Sequence, residues 1–292
     1  MNVGASAPPP VRNQGPGRAC PDRTQAIPRK VRQAVHKLSA VTVLYQAAAL
    51  LGAGIIAGLV GTAGGITSLV SYPALLAVGI PALSANITNL VAVLACWPGS
   101  ALASGPELTG KGPWLRRWLP VAAVGGALGS ALLLATPTRT FGRIVPFLVI
   151  TGSLALLIQP QLSARHPQPD ESRTRVSLPI GLLLLAVYGG YFGAGSGVMI
   201  LALLLFTTDS ELPRANALKN MLLGATVVIA AIAFAVFGSV DWTAAAPLSA
   251  GLFIGSMLGP RITRWMPPTV LRWLVAILGL ALAIQLWHSA YA

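Results

Sequence analysis

Two glycine-rich interruptions lie inside hydrophobic segments of this sequence. The first, at Gly61–Ile66, reads GTAGGI, and the second, at Gly193–Val198, reads GAGSGV. Glycine interrupts regular helical pairing and frees backbone N–H groups around each interruption. The short helices expected after the interruptions would point their positive N-terminal ends into the gap, which favours an anion. The alternative is that these glycines serve only close packing, since glycine is frequent in membrane helices.

Polar side chains follow each interruption at the start of a long apolar segment. Asn86 and Asn89 follow the first interruption, and Asn216, Lys219 and Asn220 follow the second. A cation at membrane depth is costly and tends to face a cavity or a partner, whereas near the headgroups it only snorkels. We therefore predict that Lys219 complements an anionic substrate, while the first half offers neutral hydrogen bonds.

These observations define a predicted substrate site without catalytic residues. It comprises Gly61, Gly64, Gly65, Asn86, Asn89, Gly193, Gly195, Gly197, Asn216, Lys219 and Asn220. No cofactor or metal is expected, because two distant cysteines and three scattered histidines offer no ligand spacing. The chain carries no Walker lysine and no HExxH motif, and Ser196 has no nearby histidine to act as a base. The sequence predicts that the protein is not an enzyme.

Carboxylates are too few to suggest a proton relay inside the membrane. Asp209, Glu211 and Asp241 lie at segment ends, and the other acidic residues lie in loops. Proton-coupled carriers often place a carboxylate within the membrane. Coupling could instead use the protonation of the substrate or an acid at a segment end such as Asp241.

Composition indicates a polytopic membrane protein. The chain has 292 residues, of which 54% are hydrophobic and 9% are charged, whereas charged residues make up about 25% of an ordinary soluble domain. The net charge of +13 could suggest nucleic-acid binding. However, the basic residues concentrate in the N-terminal tail, in loops and at helix ends, which the positive-inside rule explains without nucleic acid.

Hydrophobic segments follow a basic, proline-rich tail at residues 1–38, which we predict to be disordered and cytoplasmic. A full span needs about 20 apolar residues. The stretches 66–80 and 198–208 are too short and follow the glycine-rich interruptions, so each is expected to be half of a discontinuous helix or a re-entrant segment. The segments are 41–60, 66–80, 84–104, 118–135, 144–158, 178–192, 198–208, 215–237, 244–260 and 270–288.

The positive-inside rule favours eight crossings with both termini in the cytoplasm. Four spans per half would make the halves parallel repeats, whereas ten crossings would make them inverted. The predicted division is a tail at 1–38, a first repeat at 39–158, a cytoplasmic linker at 159–177 and a second repeat at 178–292. The small-xxx-small patterns at Gly125–Gly129 and Gly255–Gly259 also repeat, and we expect both to pack helices closely.

The combined motifs resemble those of the TauE/SafE sulfite exporter family over about residues 44–288. In the first half these are GLVGTAGG at Gly58–Gly65, YPALL at Tyr72–Leu76 and GIP at Gly79–Pro81. Thr62 and Ala63 stand where a further glycine is common in the family. The second-half motifs are YGGYFGAGSG at Tyr188–Gly197, NALKN at Asn216–Asn220 and VDW at Val240–Trp242. The resemblance implies a multi-pass, inner-membrane permease for sulfur-containing anions such as sulfite or organosulfonates.

The sequence thus predicts an all-α, polytopic membrane protein. It has two repeats of about four spans, each with a discontinuous, glycine-broken helix. The expected function is export of a small anion, sulfite or an organosulfonate, by alternating access at the interface of the two repeats. The expected partners are the small anionic substrate and the lipid bilayer, without nucleic acid, and the oligomeric state is left open. Two alternatives remain: an anion channel-like pore, and a non-transporting partner in a membrane assembly.

Overall fold

The described part of the chain is helical. The computed structural model describes residues 29–164, 171–208, 211–262 and 284, and no β-strand occurs among them. The predicted all-α class is confirmed. The tail before residue 29 lies outside the described residues, as does most of the segment predicted at 270–288.

Ten α-helices and one short 3₁₀ helix make up the described ranges. Several begin with proline in the first turn, a position that leaves a helix intact because no intrahelical N–H bond is lost there. The helices are α1 (Arg29–Gly64), α2 (Thr67–Ala77), α3 (Ala82–Val93), α4 (Cys96–Ala103), the 3₁₀ helix (Pro106–Leu108), α5 (Gly112–Ala135), α6 (Thr138–Ala164), α7 (Glu171–Tyr191), α8 (Ser196–Thr207), α9 (Leu212–Phe237) and α10 (Trp242–Ile262).

Two compact units divide the chain, residues 1–43 and residues 44–292. The described part of the first unit is the beginning of α1, where Val41 and Val43 expose most of their side-chain surface. The second unit contains the rest of the described helices and the whole site considered below. In the predicted linker at 159–177, α6 extends to Ala164 and α7 begins at Glu171.

Within the described residues, four helical segments are long and apolar enough to cross a membrane: Val41–Thr62, Ala82–Leu102, Gly112–Ala135 and Leu212–Phe237. Four shorter apolar helices accompany them, at Thr67–Ala77, Val176–Tyr191, Ser196–Thr207 and Trp242–Leu258. Several full-length spans in one chain make this a multi-pass membrane protein.

The helices stop and restart at the glycine-rich interruptions. Gly65 lies between α1 and α2 with φ +74°, and Gly193 and Gly195 lie between α7 and α8 with φ +81° and +78°. Positive φ is the left-handed region, which glycine enters without the steric cost that a Cβ imposes. Glycine therefore allows the chain to leave one helix and enter the next within a few residues.

A further interruption separates α3 from α4 and involves proline instead of glycine. Pro98 lies in the first turn of α4 and has no N–H to donate to the carbonyl of Leu94. The N–H of Trp97 donates to that carbonyl instead, at 3.1 Å. This tighter turn separates the two helices within the span Ala82–Leu102.

Glycines allow α5 to approach two neighbours at backbone distance. A Cβ on Gly125 would lie 3.0 Å from the Leu183 carbonyl oxygen of α7, and a Cβ on Gly126 would overlap the Thr226 carbonyl oxygen of α9. Similarly, a Cβ on Gly255 of α10 would lie 2.9 Å from the Leu59 nitrogen of α1. The close packing expected at Gly125–Gly129, and at Gly255 of the second pattern, is confirmed.

Asp241 caps α10. This position matters for the suggestion that Asp241 couples transport to proton movement. Its carboxylate accepts hydrogen bonds from the Thr243 hydroxyl at 2.6 Å and the Ala244 N–H at 3.2 Å. The hydrogen bond from Thr243 lowers the pKa of this carboxyl below its ordinary value, with burial opposing the shift. A capping carboxylate held ionised is poorly suited to carry a proton at neutral pH.

We expect Gly126→Ala to lower the free energy of unfolding by about 1–3 kcal/mol, because α5 and α9 would have to separate. The matched control is Gly142→Ala in α6, where a Cβ would meet no atom within 4 Å. That control should be neutral or stabilising by about 1 kcal/mol, as alanine favours helix. Denaturation in mixed micelles measures both, and equal effects would contradict the packing described here.

Candidate functional site

A cavity of 70 Å³ lies where the two glycine-rich interruptions meet. The first interruption and the start of α2 contribute Gly61, Thr62, Gly65, Thr67 and Ser68. The second interruption and its flanking helices contribute Gly189, Gly193, Ser196 and Gly197. The space would hold a few water molecules or one small ion.

The remaining lining comes from α3, α4 and α9. Helices α3 and α4 supply Leu90, Val93, Cys96, Trp97 and Ser100, and α9 supplies Asn220, Leu223, Gly224 and Val227. None of these described lining residues is a carboxylate. The cavity thus has hydroxyl, amide and backbone groups on one part of its wall and apolar groups on another.

The two interruptions touch backbone to backbone. A Cβ on Gly65 would lie 2.8 Å from the Gly197 carbonyl carbon, and a Cβ on Gly197 would lie 2.7 Å from the Gly65 Cα. Any larger residue at either position would push the interruptions apart. The glycines therefore shape the cavity by leaving no room for side chains between the two backbones.

Two helices begin at the cavity. Thr67 and Ser68 are the first residues of α2, and Ser196 and Gly197 are the first residues of α8. The first N–H groups of a helix have no partner within the helix and give its start a partial positive charge. With no described carboxylate in the lining, this arrangement favours an anion or another hydrogen-bond acceptor.

Asn220 lines this cavity and has an unused hydrogen-bond donor. The residue is 7% exposed, and its Nδ2 atom is buried without a hydrogen-bond partner. A buried amide without a partner costs free energy unless a ligand or water satisfies it. Asn220 is therefore the lining side chain best suited to donate to a bound anion.

Lys219 is fully buried but does not line the cavity. Its Nζ donates to the Oδ1 of Asn216 at 2.6 Å. In the described part of the chain, no carboxylate lies within ion-pair distance of it. Lys219 is the chain neighbour of Asn220, so an ammonium at this position raises the electrostatic potential beside the cavity without contacting its contents.

Two asparagines bind helix ends in the opposite half of the chain. Asn216 donates to the carbonyl of Thr62 in the last turn of α1 at 3.4 Å, and Asn86 donates to the carbonyl of Tyr191 at the end of α7 at 2.9 Å. Carbonyls in the last turn of a helix have no intrahelical donor. Each half therefore supplies an amide to the interrupted helix of the other half.

Other predicted site residues lie outside the cavity. Asn89 accepts a hydrogen bond from the Ser71 hydroxyl, and its Nδ2 is buried without a partner, as is the Oδ1 of Asn86. Gly195 packs against α6, since a Cβ there would lie 2.7 Å from the Gly152 Cα. Gly64 ends α1. The structure thus brings Gly61, Gly65, Gly193, Gly197 and Asn220 to the cavity.

Sequence reasoning missed the α4 contribution. Cys96 and Trp97 lie inside an apolar segment that looks like one uninterrupted span. The available signal was Pro98, because proline inside a helical segment marks a kink, and kinks in membrane helices need cavities or neighbours to satisfy freed groups.

Comparison with known families identifies this architecture. The sequence model described as "Sulfite exporter TauE/SafE" matches residues 46–286. The chain belongs to the TauE/SafE family. This confirms the resemblance drawn from the sequence motifs, and it makes the protein a membrane transporter of the TauE/SafE type acting on a small molecule. Because this family transports rather than catalyses, the prediction that the protein is not an enzyme is also confirmed.

Curated relatives of this TauE/SafE protein carry transporter names. It is 26% identical over 249 residues to "Probable membrane transporter protein" of Haemophilus influenzae, covering 83% of this chain and 94% of that one. It is 28% identical over 244 residues to "Probable membrane transporter protein ORF9" of Sinorhizobium sp, covering 81% and 90%. "Probable membrane transporter protein YfcA" of Escherichia coli K12 is 22% identical over 249 residues, covering 81% and 87%. No solved structure matches the chain.

We expect Asn216→Leu to destabilise this TauE/SafE protein by about 3 kcal/mol, because the Lys219 ammonium and the Thr62 carbonyl both lose their partner. Adding Lys219→Met should restore more than half of that loss, since the buried charge disappears with it. A double-mutant cycle of unfolding free energies in mixed micelles measures this coupling. Strictly additive effects would show that the two residues do not interact.

Proposed function

We propose that this protein exports a small anion, sulfite or an organosulfonate, across the inner membrane. The observation that carries the proposal is the unpartnered Asn220 amide in a cavity bounded by two helix N-termini and free of described carboxylates. An anion would satisfy the amide and the N–H groups together. The name of the matching family supports a sulfur oxyanion as substrate.

Transport by alternating access between two repeats is the mechanism that we propose. Asn86 and Asn216 make reciprocal hydrogen bonds to helix ends of the opposite half. The spacing between these two asparagines equals the spacing between Gly125 and Gly255. Those glycines pack α5 and α10 against their neighbours. Such correspondence supports an internal duplication, and duplicated carriers bind substrate where their halves join.

The proposed repeats occupy residues 39–158 and 178–292, separated by a cytoplasmic linker at 159–177 and preceded by a cytoplasmic tail at 1–38. Eight crossings in a parallel arrangement place both termini in the cytoplasm, as the distribution of basic residues favours. The glycine-broken helices α1–α2 and α7–α8 then meet at the join of the repeats, and rocking of one repeat against the other would expose the cavity to either side in turn.

Within this site the residues take different parts. We assign hydrogen bonding of the anion to Asn220 and to the backbone N–H group at Gly197, whereas the N–H of Gly65 donates to the Gly61 carbonyl. The glycines at 61, 64, 193 and 195 shape the interruptions. Asn86, Asn89 and Asn216 hold the helix ends and their surroundings, and the charge of Lys219 attracts the anion at short range.

Sulfite flux into proteoliposomes tests this proposal. We expect saturable flux with counterflow in the wild type, and at least about a tenfold loss in Asn220→Leu, because a hydrogen bond to a charged group contributes about 1.5–3 kcal/mol. The matched control is Gln46→Leu, which removes an amide that donates to the Val78 carbonyl away from the cavity. It should transport like the wild type.

Each contrary result has a distinct meaning. Unsaturable flux without counterflow would indicate a channel-like pore. Equal flux in Asn220→Leu and the wild type would place the substrate elsewhere. No flux of sulfite or any sulfonate in a folded wild type would remove the proposed substrate and leave a non-transporting partner in a membrane assembly as the remaining alternative.

A further inference from the structure

Trp97 is the aromatic residue in the cavity lining and also reaches the protein surface. Its side chain is 38% exposed although it lines the cavity. Whatever occupies the cavity must therefore fit between Trp97 and the opposite wall.

The indole rests on a glycine of α9. A Cβ on Gly224 would overlap Trp97 Cδ1 and Nε1 and lie 2.7 Å from Cε2, and these are the nearest atoms such a Cβ would meet. The ring thus contacts the α9 backbone with no side chain between them. A single methyl group at position 224 would displace it.

The backbone that carries Trp97 is anchored on its other side. The Trp97 carbonyl accepts a hydrogen bond from the Ser100 hydroxyl at 3.0 Å, and the Cys96 thiol donates to the Leu252 carbonyl of α10 at 3.7 Å. A Cβ on Gly99 would overlap the Ser256 hydroxyl, so α4 lies directly against α10. Side chains on such a rigid support keep their position when a ligand binds.

The cavity lining contains apolar residues besides Trp97. Leu90, Val93 and Leu223 lie in the same lining, whereas the amide of Asn220 and the starts of α2 and α8 form the polar part. An anion with a substituent would place its charged oxygens on the polar part. The substituent then extends toward the apolar residues of the lining, among which is Trp97.

We propose that Trp97 sets the upper size of the substrate, admitting an oxyanion with at most a one-carbon substituent. This inference rests on the proposed function and deepens it. A cavity of 70 Å³ has room for a small oxyanion but not for an extended alkyl chain beside it. Replacing the indole by a methyl group would extend the apolar part of the cavity and remove this limit.

Competition by unlabelled alkanesulfonates for ³⁵S-sulfite flux tests the size limit. In the wild type, inhibition should weaken by roughly tenfold for each carbon added beyond methanesulfonate. In Trp97→Ala, propanesulfonate should inhibit sulfite flux at least about tenfold better than in the wild type. Trp242→Ala, at an exposed tryptophan outside the cavity lining, is the matched control and should leave the series unchanged.

The contact with Gly224 provides an independent double-mutant test. Gly224→Ala should disturb sulfite flux and the alkanesulfonate series in the wild-type background, because the new methyl group displaces the indole. The same substitution should have little effect in Trp97→Ala. Equal effects in both backgrounds would show that the indole does not act through this contact.

A third measurement does not depend on the identity of the substrate. Cys96 lines the cavity beside Trp97, and Cys20 is the other cysteine in the chain. In a Cys20→Ser background, Trp97→Ala should speed alkylation of Cys96 by N-phenylmaleimide at least about tenfold more than by N-methylmaleimide. Trp97→Phe should give an intermediate value if the alanine variant does not fold.

The outcomes separate this inference from the proposed function. The size limit set by Trp97 would be overturned if a Trp97→Ala variant still transports sulfite and shows an unchanged alkanesulfonate series. Unchanged relative alkylation rates would overturn it as well. If the wild type transports neither sulfite nor sulfonates while the alkylation rates shift as expected, the proposed substrate fails and the role of Trp97 stands.

Discussion

The structure depends on satisfying backbone polar groups where helices are interrupted in a water-poor interior. A membrane offers no water to carbonyls released at a helix end, so each must find a partner within the protein. Here the amides of Asn86 and Asn216 supply such partners to Tyr191 and Thr62. Because each amide belongs to the opposite half of the chain, neither interruption is complete without the other half. The cavity exists only where the halves meet.

Glycine and charge then give this junction its chemistry. Contact between Gly65 and Gly197 holds the interruptions so close that backbone groups, instead of side chains, form much of the wall. The buried Lys219 donates to Asn216 and has no carboxylate beside it in the described structure. Asn216 thus has two roles. It accepts a hydrogen bond from Lys219, and it donates one to the Thr62 carbonyl at the end of α1. These contacts give a cavity that lies beside a buried lysine and whose described lining residues include no carboxylate.

Much of this arrangement is predictable from sequence. The remainder depends on contacts between residues that are far apart in the sequence. Glycine clusters inside apolar segments lie where α1 and α7 end and where α2 and α8 begin. Glycine spacing predicted the packing of α5. Whether Lys219 or Asn220 faces the cavity could not be predicted, because adjacent helix positions point about 100° apart and the direction of the cavity is set by other helices. The reciprocal asparagine contacts join residues more than 100 positions apart and leave no local pattern. The contribution of Trp97 was not predicted, because its segment is continuously hydrophobic and hydropathy does not reveal a proline kink.

The most direct test of the central claim is to locate a bound anion at the junction. Selenite is a heavier analogue of sulfite, and selenium gives an anomalous X-ray signal. A crystal structure of the Cys20→Ser, Cys96→Ser variant with selenite avoids thiol oxidation. It should show one anomalous peak within hydrogen-bond distance of Asn220, in the cavity that Gly65 and Gly197 line. A peak elsewhere in the protein, or an empty junction at a selenite concentration that saturates sulfite transport, would contradict the account.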